Sequence, residues 1–342
     1  MFSFLKRRAP ESSPAADKPP AGQSAAGQAE RLLRRLEWTV LRRLDGQLQG
    51  DYRSLFRGAG LVLADLREYQ AHDDVRHIDW NVTARMGTPY VREHQEDREV
   101  AAWFLLDVSG SMDFGAGTTK RELAAQAVGT LARLLSGRGN RVGALLHDGQ
   151  QGRADRLIPA RGGRRHVLHL LHSLLERKAQ GTMAQTAAAT DLGAMLRQAQ
   201  AVIRRRSLLF VVSDFIALPG WEKALDQLAR RHEVLAVRLR DPLENRLPES
   251  GLFWVQDAET GEQLLLDAGD RGMRRRFEAQ AQVREELLQE TLAHAGVDCL
   301  ELSTDEALDQ ALLRFARLRK LASRLAAGSS SAALSAKAVR HA

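Results

Sequence analysis

The run Leu106-Asp107-Val108-Ser109-Gly110-Ser111-Met112 places one carboxylate and two hydroxyls two residues apart from one another. On a loop leaving a strand, that spacing turns three side-chain oxygens toward one point, and Gly110 permits the tight backbone path. Hard oxygen donors suit Mg2+ or Mn2+, and neutral hydroxyls beside few carboxylates fit an ion that retains several waters. The competing reading is a loop whose Asp and Ser side chains only satisfy local backbone donors. Two further places sharpen the choice. Ser213-Asp214 ends the apolar run Leu208–Val212, and Thr190-Asp191 precedes a helical pattern, where Thr190 is either a helix cap or an oxygen donor.

For these residues to meet, the chain must bring several strand ends to one rim. Val100–Val108 is a short, nearly continuous apolar run, the mark of a strand covered on both faces, and similar runs recur at Val142–Leu146, Ser207–Ser213, Val234–Leu239 and Val297–Leu302. Helical patterns separate them at Lys120–Leu135, Arg164–Leu175, Asp191–Ile203, Trp221–Arg231 and Arg271–Ala295, with a last one at Glu306–Leu321. This alternation predicts an α/β fold, a doubly wound, mostly parallel open sheet with helices on both faces. Such sheets bind ligands beyond the carboxyl ends of their strands. Gly251–Gln256 and Gln263–Asp267 read as an inserted β-hairpin, within about residues 250–268.

The expected organisation is a disordered leader over 1–28, an N-terminal helix and small appended segment over 29–98, the α/β domain over 99–322, and a disordered tail over 323–342. Within 29–98, Leu32, Leu33, Leu36, Val40 and Leu44 follow helical spacing. Asp73, Asp74, His77, Asp79 and His94 invite a second metal or nuclease-type centre. The plainer expectation is that Arg67, Arg76 and Arg85 pair with those acids, with Tyr69 and Trp80 as anchors.

The formal charge of +7 and pI near 10.0 come mostly from arginine in an Arg-, Ala- and Leu-rich chain, so no nucleic-acid partner is expected. A lone Cys299 excludes an internal disulfide and a Cys-based zinc site, and its apolar strand context predicts a small core residue. Met1–Arg8 lacks the apolar region of a signal peptide, and no apolar run approaches the ~20 residues that span a bilayer. The expectation is a cytoplasmic protein without a membrane span.

Taken together, Asp107-x-Ser109-x-Ser111, Thr190 and Asp214 resemble the metal-ion-dependent adhesion site of von Willebrand factor A domains, over about Glu99 to Arg319. The resemblance implies that Ser109, Ser111 and Thr190 hold the ion directly or through water, with Asp107 and Asp214 as carboxylate supports. Upstream, Leu66-Arg67-Glu68-Tyr69, Asp73-Asp74-Val75-Arg76, Ile78-Asp79-Trp80, Ala84-Arg85 and Arg165–Val167 resemble the DUF58 family, whose members are often associated with MoxR-type AAA+ ATPases. His72 stands where that family usually has glycine.

No G-x-x-x-x-G-K-[ST] loop is present, so the chain is not itself expected to be an ATPase. Hydrolysis would need a base beside the ion, and His147, at the end of the second strand, is the nearest candidate. The expected function is therefore non-enzymatic: a Mg2+- or Mn2+-dependent interaction module that takes a carboxylate from a protein partner. The resemblance implies an adaptor for a MoxR-like AAA+ ATPase in assembly or remodelling of other proteins. The alternative is a metal-dependent hydrolase or nuclease using the same Asp/Ser/Thr rim.

Overall fold

A computed structural model describes residues 25–47, 65–70, 75, 78, 80, 83–84, 87–93, 101–115, 117–148, 156–179, 190–249, 251–256 and 263–322. The elements are α1 (Ala25–Leu36), α2 (Arg42–Gln47), β1 (Asp65–Glu68), β2 (Tyr90–Glu93), β3 (Ala101–Asp107), α3 (Lys120–Ser136), β4 (Arg141–His147), β5 (Arg156–Arg161), α4 (Arg164–Ala179), α5 (Leu192–Val202), β6 (Leu208–Ser213), α6 (Glu222–Arg231), β7 (Glu233–Arg240), β8 (Leu252–Gln256), β9 (Gln263–Asp267), α7 (Arg271–His294) and β10 (Asp298–Ser303). A last helix, α8, covers residues 308–322.

Six strands form the main sheet in the order β10-β7-β6-β3-β4-β5. All neighbours run parallel except the β4–β5 pair. The alternating apolar runs and helices thus produce the open α/β architecture expected from the pattern. β3, β6 and β7 are buried along nearly their whole length, because helices cover both faces.

The two faces have separate cores. On one, Phe104, Leu106, Phe210 and Val237 pack with residues of α1, α3, α4 and α8. Phe104 and Phe210, opposite each other in register, stack with centroids 4.8 Å apart. On the other face, Leu105, Leu209 and Ala236 meet α5, α6 and α7. Each fully covered Leu or Phe contributes roughly 1.5–3 kcal/mol through removal of its surface from water.

Three features depart from the sequence expectation. The helix expected from Ala29 begins at Ala25, one turn earlier, and continues through a π-helical turn over Glu37–Leu41 into α2. Its Leu33, Leu36, Val40 and Leu44 join the core of the α/β domain, so this helix is part of that domain and not of an appended piece. Edge strand β5 was not expected: it contains Pro159, tolerated at an edge, and Ile158 is its one buried residue. Trp80, expected as an anchor, is 69% exposed, while Tyr69 is half-buried and its backbone N–H donates to the Pro89 carbonyl.

The inserted hairpin is present as β8 paired antiparallel with β9. A second antiparallel pair, β1 with β2, lies in the upstream segment. Asp73, Asp74, Arg76, His77, Asp79, Arg85 and His94 lie outside the described residues, as do residues 1–24 and the tail over 323–342.

Candidate functional site

The chain runs from β3 to β4 and β5 on one side, then returns through α4 and α5 to β6 on the other side of β3. The carboxyl ends of β3 and β6 therefore flank the point where strand order reverses, the position at which open α/β sheets leave a crevice. Asp107 ends β3 and Asp214 follows β6, which places two carboxylates at this switch.

After Asp107 the backbone turns through a short 3-10 segment, Gly110–Asp113, which folds the Ser side chains back over the strand ends. Asp107 Oδ1 accepts from the Ser109 N–H at 3.0 Å, and its Oδ2 accepts from the Ser213 hydroxyl at 2.8 Å. The Ser109 and Ser111 hydroxyls lie 3.1 Å apart, and the Ser111 hydroxyl donates to Asp214 Oδ2 at 2.9 Å. Asp214 Oδ1 accepts from the Ile216 N–H at 2.9 Å. Asp107, Ser109, Ser111, Ser213 and Asp214 are all buried. Burial pushes the Asp107 carboxyl above its usual range, and the nearby Asp214 charge adds to the effect.

Next to Asp214, Phe215 adopts a left-handed backbone, φ 59°, rare for a bulky residue. Its N–H donates to the Ser213 hydroxyl at 3.0 Å and its ring packs against Trp221, 5.6 Å between centroids. These contacts hold the turn that aims Asp214 into the rim. Strain of this kind concentrates at functional sites.

Thr190 is also buried, and its carbonyl accepts from the Leu218 N–H at 3.0 Å, which ties it to the loop that follows Asp214. Capping of α5 falls to its neighbour: Asp191 Oδ1 accepts from the Ala194 N–H at 2.8 Å. The cap alternative for Thr190 is thus taken by Asp191. Asp107, Ser109, Ser111 and Asp214 are joined by direct contacts, and Thr190 is joined to the same loop through its backbone.

Two residues that sequence reasoning missed complete the cluster. Lys120, at the first turn of α3, is fully buried (0% exposed), with Nζ 2.6 Å from Asp214 Oδ2 and 2.5 Å from Glu244 Oε1. Glu244 lies in the Pro242–Glu244 turn after β7, where Asp241 and Glu244 form a capping box. Burial pushes the Glu244 carboxyl up to about 7, against the pull of Lys120. For Lys120 burial works downward, but the Asp214 and Glu244 charges outweigh it and raise the ammonium above its usual value.

α3 is positioned by its own N-terminus: Thr119 and Glu122 form a reciprocal capping box. Arg121 then braces the β3 loop, donating to the Val108 and Ser109 carbonyls, both at 3.1 Å, and to Asp113 Oδ1 at 2.6 Å. A signal for Lys120 existed in the sequence. A lysine in the first turn of a helix opposes the helix dipole and calls for a compensating acid.

The donor set fits a divalent cation. It consists of hard oxygens, and among the groups in direct contact three carboxylates and one ammonium leave a formal excess of two negative charges when all are ionised. Among the described residues no group of three or more His, Cys, Asp or Glu side chains is arranged to hold an ion, so the hydroxyls are essential to this fit. His147 is buried in register opposite Asp107, and its carbonyl accepts from the Val108 N–H at 2.8 Å.

Comparison with known proteins decides the family. The family described as "Protein of unknown function DUF58" matches residues 65–287. The chain belongs to the DUF58 family. Uncharacterised relatives from Mycobacterium tuberculosis H37Rv and Mycobacterium bovis are each 37% identical over 289 residues, covering 84% of this chain and 89% of theirs. An uncharacterised Mycobacterium avium protein is 31% identical over 173 residues, covering 48% of this DUF58 chain and 94% of its own. Among solved structures, BatB from Bacteroides thetaiotaomicron is 16% identical with a TM-score of 0.38, covering 64% of this chain and 99% of its own. An aerotolerance-related membrane protein from Bacteroides fragilis is 14% identical with a TM-score of 0.39, covering 64% and 98%.

Proposed function

We propose that this DUF58 chain carries a von Willebrand factor A-like domain whose rim is a Mg2+- or Mn2+-dependent docking site for a protein carboxylate. It works without catalysis, in the cytoplasm, as an adaptor for a MoxR-like AAA+ ATPase in assembly or remodelling of other proteins. The observation that carries the reading is the single buried, hydrogen-bonded set of Asp107, Ser109, Ser111 and Asp214 at the strand-order switch.

In this reading Ser109, Ser111 and Thr190 hold the ion, and Asp107 and Asp214 support it. The ion supplies positive charge and an exchangeable position for an incoming carboxylate. The protein's own contribution is preorganisation. Asp107 fixes the first turn of the loop through the Ser109 N–H, Ser213 holds its second oxygen, and Arg121 keeps the loop against α3. Both aspartates are committed to hydroxyls, backbone N–H groups or Lys120, which favours binding over general-base work.

The adaptor role is tested with the full chain immobilised and a purified MoxR-like ATPase in solution, in Mg2+ and in EDTA. Retention in Mg2+ that is lost in EDTA and in Ser109→Ala/Ser111→Ala supports it. No retention by the wild type, or equal retention by wild type and variant in both buffers, refutes it.

A further inference from the structure

The buried lysine is not accounted for by a cation site. A protein that needed only to hold a divalent ion would gain nothing from an ammonium placed 2.6 Å from one of its supporting carboxylates. We propose that Lys120 is a resident counter-cation: it holds the rim together when no metal is bound, and every divalent ion must bind against its field. The inference rests on the cation-site reading above and goes beyond it, because it makes the affinity of the rim a quantity set by Lys120 and Glu244.

The geometry supports this in three ways. Lys120 is fully buried, so its charge is shielded from water and screened by salt far less than a surface charge. Its Nζ bridges Asp214, which belongs to the rim, and Glu244, which comes from a separate turn after β7. Its placement at the first turn of α3 runs against the helix dipole, so these carboxylates, and not the helix, keep it there. Arg121, the neighbouring buried cation, is directed elsewhere, onto Asp113 and the loop carbonyls. Arg284 also feels the Asp214 and Glu244 charges, but Lys120 is the cation in direct contact with both carboxylates.

Such an arrangement gives a rim that stays folded without metal and binds metal weakly. A partner carboxylate arriving with the ion adds the negative charge that the lysine removes. Occupancy of the site is then coupled to presence of the partner.

The experiment titrates the full-length chain with Mn2+ by calorimetry and follows thermal unfolding with and without Mn2+. Lys120→Met removes one positive charge from the rim and is expected to bind Mn2+ at least tenfold more tightly than wild type. Its unfolding temperature should fall without metal and recover with Mn2+, whereas that of the wild type should depend little on Mn2+. A lysine with a merely structural role would lower the affinity when removed, so the sign of the change separates the two. Glu244→Gln, which leaves Lys120 paired with Asp214, guards against a Lys120→Met that fails to fold. It is expected to bind Mn2+ at least tenfold more weakly. An unchanged affinity in Glu244→Gln, or an unchanged or weakened one in folded Lys120→Met, overturns the proposal. If wild type binds Mn2+ and loses it in Ser109→Ala, yet the Lys120 and Glu244 variants match wild type, only the counter-cation role fails. If no variant and no wild type binds Mn2+, the cation-site reading fails with it.

Discussion

Asp107 and Asp214 lie at the ends of neighbouring strands and share one buried rim, so the Asp214 charge raises the cost of ionising Asp107. That cost is offset locally by hydroxyl and amide donors on Asp107, while Lys120 pairs with Asp214. A residue-scale consequence concerns Ser213, whose hydroxyl donates to Asp107 and accepts from the Phe215 N–H. Ser213→Ala leaves a buried carboxylate oxygen and a backbone N–H without this partner. It is expected to cost about 1–3 kcal/mol of stability, read from urea unfolding, and an unchanged midpoint would refute the role assigned to it. Cys299 behaves oppositely to a reactive thiol. Burial, with the Glu301 charge adding to it, pushes it up to about 12. In the folded protein it should alkylate far more slowly than after unfolding in urea, and equal rates in the two states would contradict its placement.

At the scale of elements, the main sheet was largely legible in the sequence because doubly covered strands write themselves as unbroken apolar runs. Ala101–Asp107 and Leu208–Ser213 are examples. β5 was illegible for the complementary reason: a mostly exposed edge strand with Pro159 carries a polar, broken pattern. In the site, Asp107, Ser109, Ser111 and Asp214 could be read from strand ends, since each follows an apolar run within a few residues. Lys120 and Glu244 could not be paired in the same way, because only the strand order brings the start of α3 to the turn after β7. Sheet packing also makes a prediction that no linear pattern contains. A Cβ added at Gly143 would lie 2.8 Å from the Trp103 ring and 3.0 Å from the Ala160 backbone nitrogen. Gly143→Ala is therefore expected to destabilise by about 1–3 kcal/mol in urea unfolding, and wild-type stability would refute this packing.

For the whole molecule, the helix that precedes the sheet is held to it by charge as well as by its leucines. Glu37 accepts from Arg133 of α3 at 2.9 Å and from Arg164 of α4 at 3.2 Å. Burial pushes the Glu37 carboxyl up, but the two arginine hydrogen bonds outweigh it and hold it below its ordinary value of 4.5. A carboxyl depressed in the folded state contributes stability above its unfolded value and loses it as pH falls through the folded one. Wild type should exceed Glu37→Gln by about 0.5–1 kcal/mol near neutrality, with the gap closing as the pH drops below about 4.5; a gap constant with pH would contradict the clamp. Among the described residues, no helix is long and apolar enough to cross a membrane. The six-stranded sheet and the helices on its two faces form an α/β body with its rim at the switch between β3 and β6. The central claim is that this rim is a divalent-cation site. It is tested most directly by calorimetric titration of Mn2+ into the full-length wild type and into Ser109→Ala/Ser111→Ala, with circular dichroism to verify that both are folded. The account predicts one ion per wild-type chain and at least tenfold weaker binding in the folded variant. Equal binding by the two proteins, or none by the wild type, would contradict it.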